Sequence, residues 1–219
     1  EHPATERPCA HLERHGVAVY RVGVDGTGAA LVDELERHLG DGTALVTVMH
    51  ANNETGTIQP VAPMAELAHA AGALVHSDAA QSVGKIPTRV DELGVDLLSV
   101  AGHKLYAPKG VGALYVRRHT PVSPVLLGAG HERGLRPGTE NVAFIAGLGR
   151  ACELAAEGLE HEGVRVRELR DRLWEMLRQG VPGIRLNGHP RQRLPNTLNV
   201  RFPRVAGSAV LAGAPAVAA

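Results

Sequence analysis

The sequence predicts an α/β fold: a mainly parallel sheet with helices on both faces, followed by the start of a smaller α+β unit. Three observations point there. Short apolar runs alternate with amphipathic stretches, which is the pattern of strand–helix–strand units. The runs Ala44–Met49, Ala73–His76 and Leu97–Val100 are nearly unbroken, as strands buried on both faces require. Polar residues gather immediately after these runs, where open α/β sheets bind their ligands.

Taken in order, Val17–Val22 is rich in Val and reads as a strand. Leu31–Leu39 carries apolar residues at helical spacing with charges between them. Ala44–Met49 is apolar except for Thr47 and reads as a buried strand. Met64–Ala71 is a helix. Ala73–His76 is a second buried strand, followed closely by Asp78, and Leu97–Val100 is a third, leading into Gly102-His103-Lys104. Gly112–Val116 is a fourth. After Asn141 the texture changes. Ala143–Leu159 and Val164–Gln179 read as two long helices. In the second, Arg165, Arg167, Glu168, Arg170, Asp171 and Arg172 interleave with Leu169, Leu173 and Leu177, which describes a solvated face with an apolar stripe. The Val181-Pro182-Gly183 turn leads to short strands near Ile184–Leu186 and over Pro195–Phe202. The expected division is a large domain over 1–158 and the beginning of a smaller one over 159–219. Residue 1 is not Met, and Ala212–Ala219 is a run of mostly small residues with no cap, so both ends read as cut.

The 219 residues are 44% apolar and 21% charged, with a formal net charge of zero, so no electrostatic argument favours nucleic acid or an anionic membrane. No apolar run is long enough to span a bilayer, and the first residues form no apolar signal region. Cys9 and Cys152 are too few for a disulfide framework, and the expected compartment is a reducing cytoplasm.

Asn52-Asn53-Glu54, Asp78 with Gln81, and His103 with Lys104 follow three different strands, so their polar groups meet at one rim of the sheet. An amine, an acid, amides and an imidazole together suit pyridoxal phosphate. That cofactor needs a lysine for its Schiff base and an acid to keep the pyridine nitrogen protonated. Asp78 can be the acid. Asn53 and Gln81 can donate to the phenolic oxygen, while His103 and Thr139 can serve the phosphate. Singly, each residue has a plainer reading: Lys104 as a surface lysine, Asp78 as a helix cap, Asn53 as a turn residue.

These segments resemble the class V aminotransferase group, and within it the cysteine desulfurases and their relative selenocysteine lyase. The resemblance rests on Glu1-His2, His50-Ala51-Asn52-Asn53-Glu54-Thr55-Gly56, His76-Ser77-Asp78-Ala79-Ala80-Gln81-Ser82 and Gly102 to Gly110. It continues through Gly130 to Gly134, Arg136 to Asn141 and Leu194-Pro195-Asn196-Thr197, and so covers nearly the whole chain. It implies Lys104 as the Schiff-base lysine and His2 as a ring-stacking residue that assists proton transfer. It implies Asp78 as partner of the ring nitrogen, Asn53 and Gln81 around the phenolic oxygen, and His103 in a phosphate-binding turn. Thr139 corresponds to a threonine that reaches the phosphate of the neighbouring subunit, which implies a homodimer. No metal is implied. L-cysteine would be the substrate, L-alanine and a persulfide the products, and a sulfur-acceptor protein the partner, toward iron–sulfur cluster assembly.

Three departures stand out. Ala101 replaces a serine that the family usually places two residues before His103, with Ser99 on the same strand face as a partial substitute. The family's Gly-rich N-terminal turn and its loop cysteine do not occur in the sequence, so the chain is expected to be incomplete for turnover. Cys9 and Cys152, both on helices, read as inert apolar side chains rather than as the loop cysteine. Ala101 leans toward selenocysteine lyase. Another class V lyase, and a non-catalytic fragment keeping only a binding or dimerisation surface, are the other readings.

Overall fold

The computed structural model describes residues 1–217. Residues 218 and 219, the end of the alanine-rich stretch, lie outside the described residues. Helix α1 spans Pro3–Arg14 and α2 Val32–His38. The sheet is built from β1 (Leu45–Met49), β2 (Leu74–Asp78), β3 (Leu97–Ala101) and β4 (Gly112–Val116), in that spatial order. Helix α3 (Val61–Ala70) and the single turn α4 (Val90–Leu93) lie between β1 and β2 and between β2 and β3 in sequence. β1, β2 and β3 run parallel, and β4 joins β3 antiparallel. The predicted α/β class with a mainly parallel sheet is therefore what the chain adopts.

The register explains which side chains form the core. Val46 pairs with Val75, Val48 with Ser77, and Ser77 with Leu98, so these share one face. Helix α3 brings Val61, Met64, Ala65 and Ala68 onto that face, joined by Leu35 of α2 and by Val95. Val75, Ala68 and Val95 are fully buried. Burying a Val or Leu side chain contributes about 1.5–3 kcal/mol, so this face is the main source of stability. Its polar members are satisfied. Ser77 Oγ donates to the Val48 carbonyl at 2.9 Å. The buried Asp96 carboxylate accepts the Val75 N–H at 2.8 Å and meets His69 Nε2 of α3 at 2.9 Å, tying sheet and helix together. The opposite face carries α1 near its carboxyl end. Elsewhere it is open, leaving Leu45 and Leu114 about half exposed.

Three expectations about single elements are corrected. Val17–Val22 is not a strand; its nearest pairing is a lone bridge between Val24 and Ala30. A strand needs a lateral ladder, and here the side chains are engaged without one: Val22 packs on the core, and Arg21 pairs with Glu6 and Glu13 of α1. The two helices expected after Asn141 are one, α5, Val142–Gly180. Its 39 residues contain no proline, and Gly158 and Gly163 weaken a helix without ending it. The expected boundary at 158/159 falls inside this uninterrupted helix. Of the last expected strands, the first is found one residue on as β5 (Arg185–Asn187), and the second is shorter than Pro195–Phe202: β6 (Asn199–Arg201) pairs antiparallel with β5, before a short α6 (Gly207–Ala212).

The segment after β5 returns to the large sheet. Leu194 N–H donates to the Gly56 carbonyl at 2.8 Å and Ile58 N–H to the Gln192 carbonyl at 3.0 Å. Arg170 of α5 donates to the Leu194 carbonyl at 2.7 Å, and Leu194 is fully buried. The turn after β1 is thereby braced from both α5 and the C-terminal segment.

Candidate functional site

A cavity of about 440 Å3 opens at the carboxyl ends of β1, β2 and β3, on the face opposite the hydrophobic core. That volume lies within the range of small-molecule sites. Its walls come from α1 (His2, Ala4, Thr5), from β1 and the following turn (Met49, Ala51, Asn53), and from β2 with its exit (His76, Asp78, Ala80, Gln81). β3 and its exit supply Ser99, Val100, Ala101, His103 and Lys104. Six of the seven residues expected from the sequence are thus brought together: His2, Asn53, Asp78, Gln81, His103 and Lys104. Thr139 lies between β4 and α5 and is not among the lining residues.

Local chemistry places each side chain. His2 is the N-cap of α1, with Pro3 at the first helical position. Its Nδ1 accepts the Ala4 N–H at 3.1 Å. A neutral ring in this bond must carry its proton on Nε2. Glu1 anchors the same entry: its carboxylate accepts the Met49 N–H at 2.6 Å at the end of β1. Burial raises the Glu1 carboxyl above its ordinary range, the Met49 bond opposes that rise, and Asp78 adds to it.

After β1, the turn is built by Asn52, whose Oδ1 accepts the N–H groups of Glu54 and Thr55 at 3.0 and 2.8 Å. Asn53 is left facing the cavity. The turn reading of this segment belongs to Asn52. Gly56 closes it at φ +76°, where an added Cβ would stand 2.8 Å from Thr197 Cβ. Asp78 Oδ1 accepts the Ala80 N–H at 2.9 Å, so this carboxylate caps its own exit turn and also lines the cavity. Gln81 Oε1 accepts from Lys85 Nζ at 3.0 Å. Burial lowers the affinity of the Lys85 amine for its proton, and the nearby Lys104 charge acts in the same direction.

Lys104 sits in a 3₁₀ turn, Gly102–Leu105, directly after β3. Gly102 N–H donates to the Val111 carbonyl at 3.1 Å, and an added Cβ on Gly102 would stand 2.6 Å from that oxygen. Only glycine allows this approach. Leu105 is buried against Leu148 of α5 and Ala107. The turn is pinned on both sides, and among the described residues Lys104 Nζ has neither a hydrogen-bond nor an ion-pair partner.

Beside Asp78 runs a row that sequence reasoning missed. Thr47 Oγ1 lies 2.7 Å from His76 Nδ1, and His76 Nε2 lies 2.9 Å from Ser99 Oγ. Desolvation lowers the His76 pKa, with Asp78 opposing it. The Ser99 hydroxyl is therefore already engaged by His76 while lining the same cavity. The signal was available in the strand period of two, which puts His76 on the face of Asp78. Cys152 is exposed and Cys9 half-buried; neither lines the cavity, and the reading of Cys152 as a buried apolar side chain is not upheld.

The donor set fits pyridoxal phosphate: an unpartnered amine, a carboxylate held by one oxygen, two carboxamides and three imidazoles around one volume. Among the described residues no cluster could hold a metal ion, and no helix is long and apolar enough to cross a membrane.

The family model described as Aminotransferase class-V matches residues 1–212. A protein named cysteine desulfurase from Gluconacetobacter diazotrophicus is 50% identical over 212 residues, spanning 96% of this chain and 53% of its own length. Cysteine desulfurase NifS of Azotobacter vinelandii is 46% identical over 211 residues, with 96% and 52% covered. Among solved structures, a NifS-like protein superposes with a TM-score of 0.92 at 40% identity, covering 98% of this chain and 60% of that one. DndA from Streptomyces lividans gives 0.89 at 37%, with 99% and 62% covered. The chain spans about half the length of the curated relatives it matches. On these grounds the chain belongs to the class V aminotransferase family.

Proposed function

We propose that this chain carries the pyridoxal-phosphate site of a cysteine desulfurase, which takes L-cysteine to L-alanine and passes the sulfur on as a persulfide. The observation that carries the reading is the meeting of Lys104, Asp78, Asn53, Gln81, His2 and His103 in one cavity. When bound, the cofactor supplies an electron sink for chemistry at the substrate Cα. Lys104 Nζ would be the covalent anchor and, as a free amine, would take the proton from the substrate Cα. The Asp78 oxygen not required by Ala80 holds the proton on the ring nitrogen. Asn53 and Gln81 donate to the phenolic oxygen, and His103 to the phosphate. His2, with its proton on Nε2, stacks over the ring and exchanges protons with the substrate. The sulfur would pass to a cysteine thiolate, and Cys9 and Cys152, which do not line the cavity, are not that group.

A homodimer belongs to the same reading. Thr139, which does not line its own cavity, would serve the phosphate of a second copy. The exposed Val125 and Leu127, beside the same stretch of chain, supply apolar surface for such a contact. Helix α5 would then link the cofactor domain, to about residue 158, with the unit that follows. A sulfur-acceptor protein, iron–sulfur cluster assembly and a cytoplasmic location complete the proposal; two free cysteines suit a reducing compartment. A second reading, selenocysteine lyase, is favoured by Ala101 in the cavity wall and by the prior engagement of the Ser99 hydroxyl.

Adding pyridoxal phosphate to the chain tests the site. A visible absorption band is expected in the wild type and absent from Lys104→Ala. A band surviving in that variant would refute the anchor. Comparing alanine formation from L-cysteine and L-selenocysteine by the full-length protein separates the two lyase readings.

A further inference from the structure

Lys85 stands out among the groups that the proposed chemistry leaves unused. It lies on the turn after β2, half withdrawn from water, and its Nζ is 3.0 Å from Gln81 Oε1. Among the described residues it has no carboxylate partner. An ammonium group can only donate. The contact therefore fixes which end of the Gln81 amide turns toward Lys85. The carbonyl oxygen is taken, and the amide nitrogen, without a protein partner of its own, is left for the cavity that Gln81 lines. Without Lys85 the amide could present either end at little cost, and the oxygen end would repel an anionic phenolic oxygen.

We infer that Lys85 is a positioning residue, whose bond to Gln81 Oε1 turns the amide donor of Gln81 toward the phenolic oxygen of the cofactor. This rests on the pyridoxal-phosphate reading above. The surroundings agree with it. Lys85 is near a second ammonium, Lys104, and burial and that charge both depress its proton affinity. Lys85 does not itself line the cavity, but its charge stands directly behind Gln81, which does, and that suits an anionic ligand.

The test is a spectrophotometric titration of pyridoxal phosphate into the full chain and its variants, read as Kd. Lys85→Met, which keeps the length and loses the donor, is expected to weaken binding by about 5- to 10-fold, the worth of one such bond. Lys85→Arg keeps a donor and is expected to recover most of the loss. Gln81→Ala removes the positioned group, so adding Lys85→Met to it should cost at least about 3-fold less than in the wild-type background. A merely structural role would lower the thermal midpoint and leave the two effects multiplicative. Multiplicative losses, or Lys85→Met binding like the wild type, overturn the inference alone. A wild-type chain that takes up no cofactor overturns the proposed function and this inference with it.

Discussion

Acidification will destabilise the wild-type protein by about 3 kcal/mol more than a His50→Leu variant. His50 is 4% exposed, at the end of β1, and its Nδ1 has no hydrogen-bond partner. Burial alone pushes its pKa from the ordinary 6.5 down to about 4. Between those values the unfolded chain binds a proton at this position and the folded chain does not. Stability is therefore unaffected above the unfolded value, falls by about 1.4 kcal/mol per pH unit as the pH drops below it, and levels off below the folded value. Over roughly two and a half units the loss reaches about 3 kcal/mol. His76, also depressed, adds a loss of the same sign. Glu1, whose carboxyl is raised, contributes the opposite sign, because the folded state takes up its proton first. Both groups remain in the variant, so the difference isolates His50. Leucine suits the test because it removes a buried, unpartnered polar atom. Urea unfolding of both proteins in steps from about pH 7 to pH 4 measures the difference. Parallel stability profiles would refute the reasoning.

Other perturbations follow from the same contacts. Leu194→Ala should cost about 2–5 kcal/mol by urea unfolding, because the side chain is fully buried between α5 and the turn after β1. Gly102→Ala must push the Val111 carbonyl aside, and should lower stability by about 1–3 kcal/mol while weakening cofactor uptake through the displaced Lys104 turn. Asp78→Asn keeps an oxygen for the Ala80 N–H and loses the charge facing the cavity. Cofactor titration should show at least about 10-fold weaker binding, with the thermal midpoint of the cofactor-free chain little changed.

What was legible in the sequence follows a physical division. Strands β1 to β3 declared themselves by their apolar runs, although only the face of Val46, Val75 and Leu98 is fully covered; the expectation of burial on both faces is not met, because the other face carries the cavity and stays partly open. The rim residues were legible because a strand's carboxyl end is fixed once the strand is. Val17–Val22 failed because β composition does not supply a partner strand. The break expected between Leu159 and Val164 failed because charge and glycine only weaken a helix, and i,i+3 pairs such as Glu162–Arg165 continue across the gap. Lys85, Glu1 and His76 escaped notice for a different reason. Their roles lie in contacts with Gln81, the Met49 backbone and Ser99, and local spacing does not reveal a contact made through the fold. Ser99 shows the same limit. Its hydroxyl looked available for a phosphate until the structure gave it to His76.

The most direct test of the central claim is borohydride reduction of the pyridoxal-phosphate-treated chain followed by peptide mapping. The account predicts a reduced cofactor on Lys104 and on no other lysine. Labelling of another lysine instead, or of none, would contradict it.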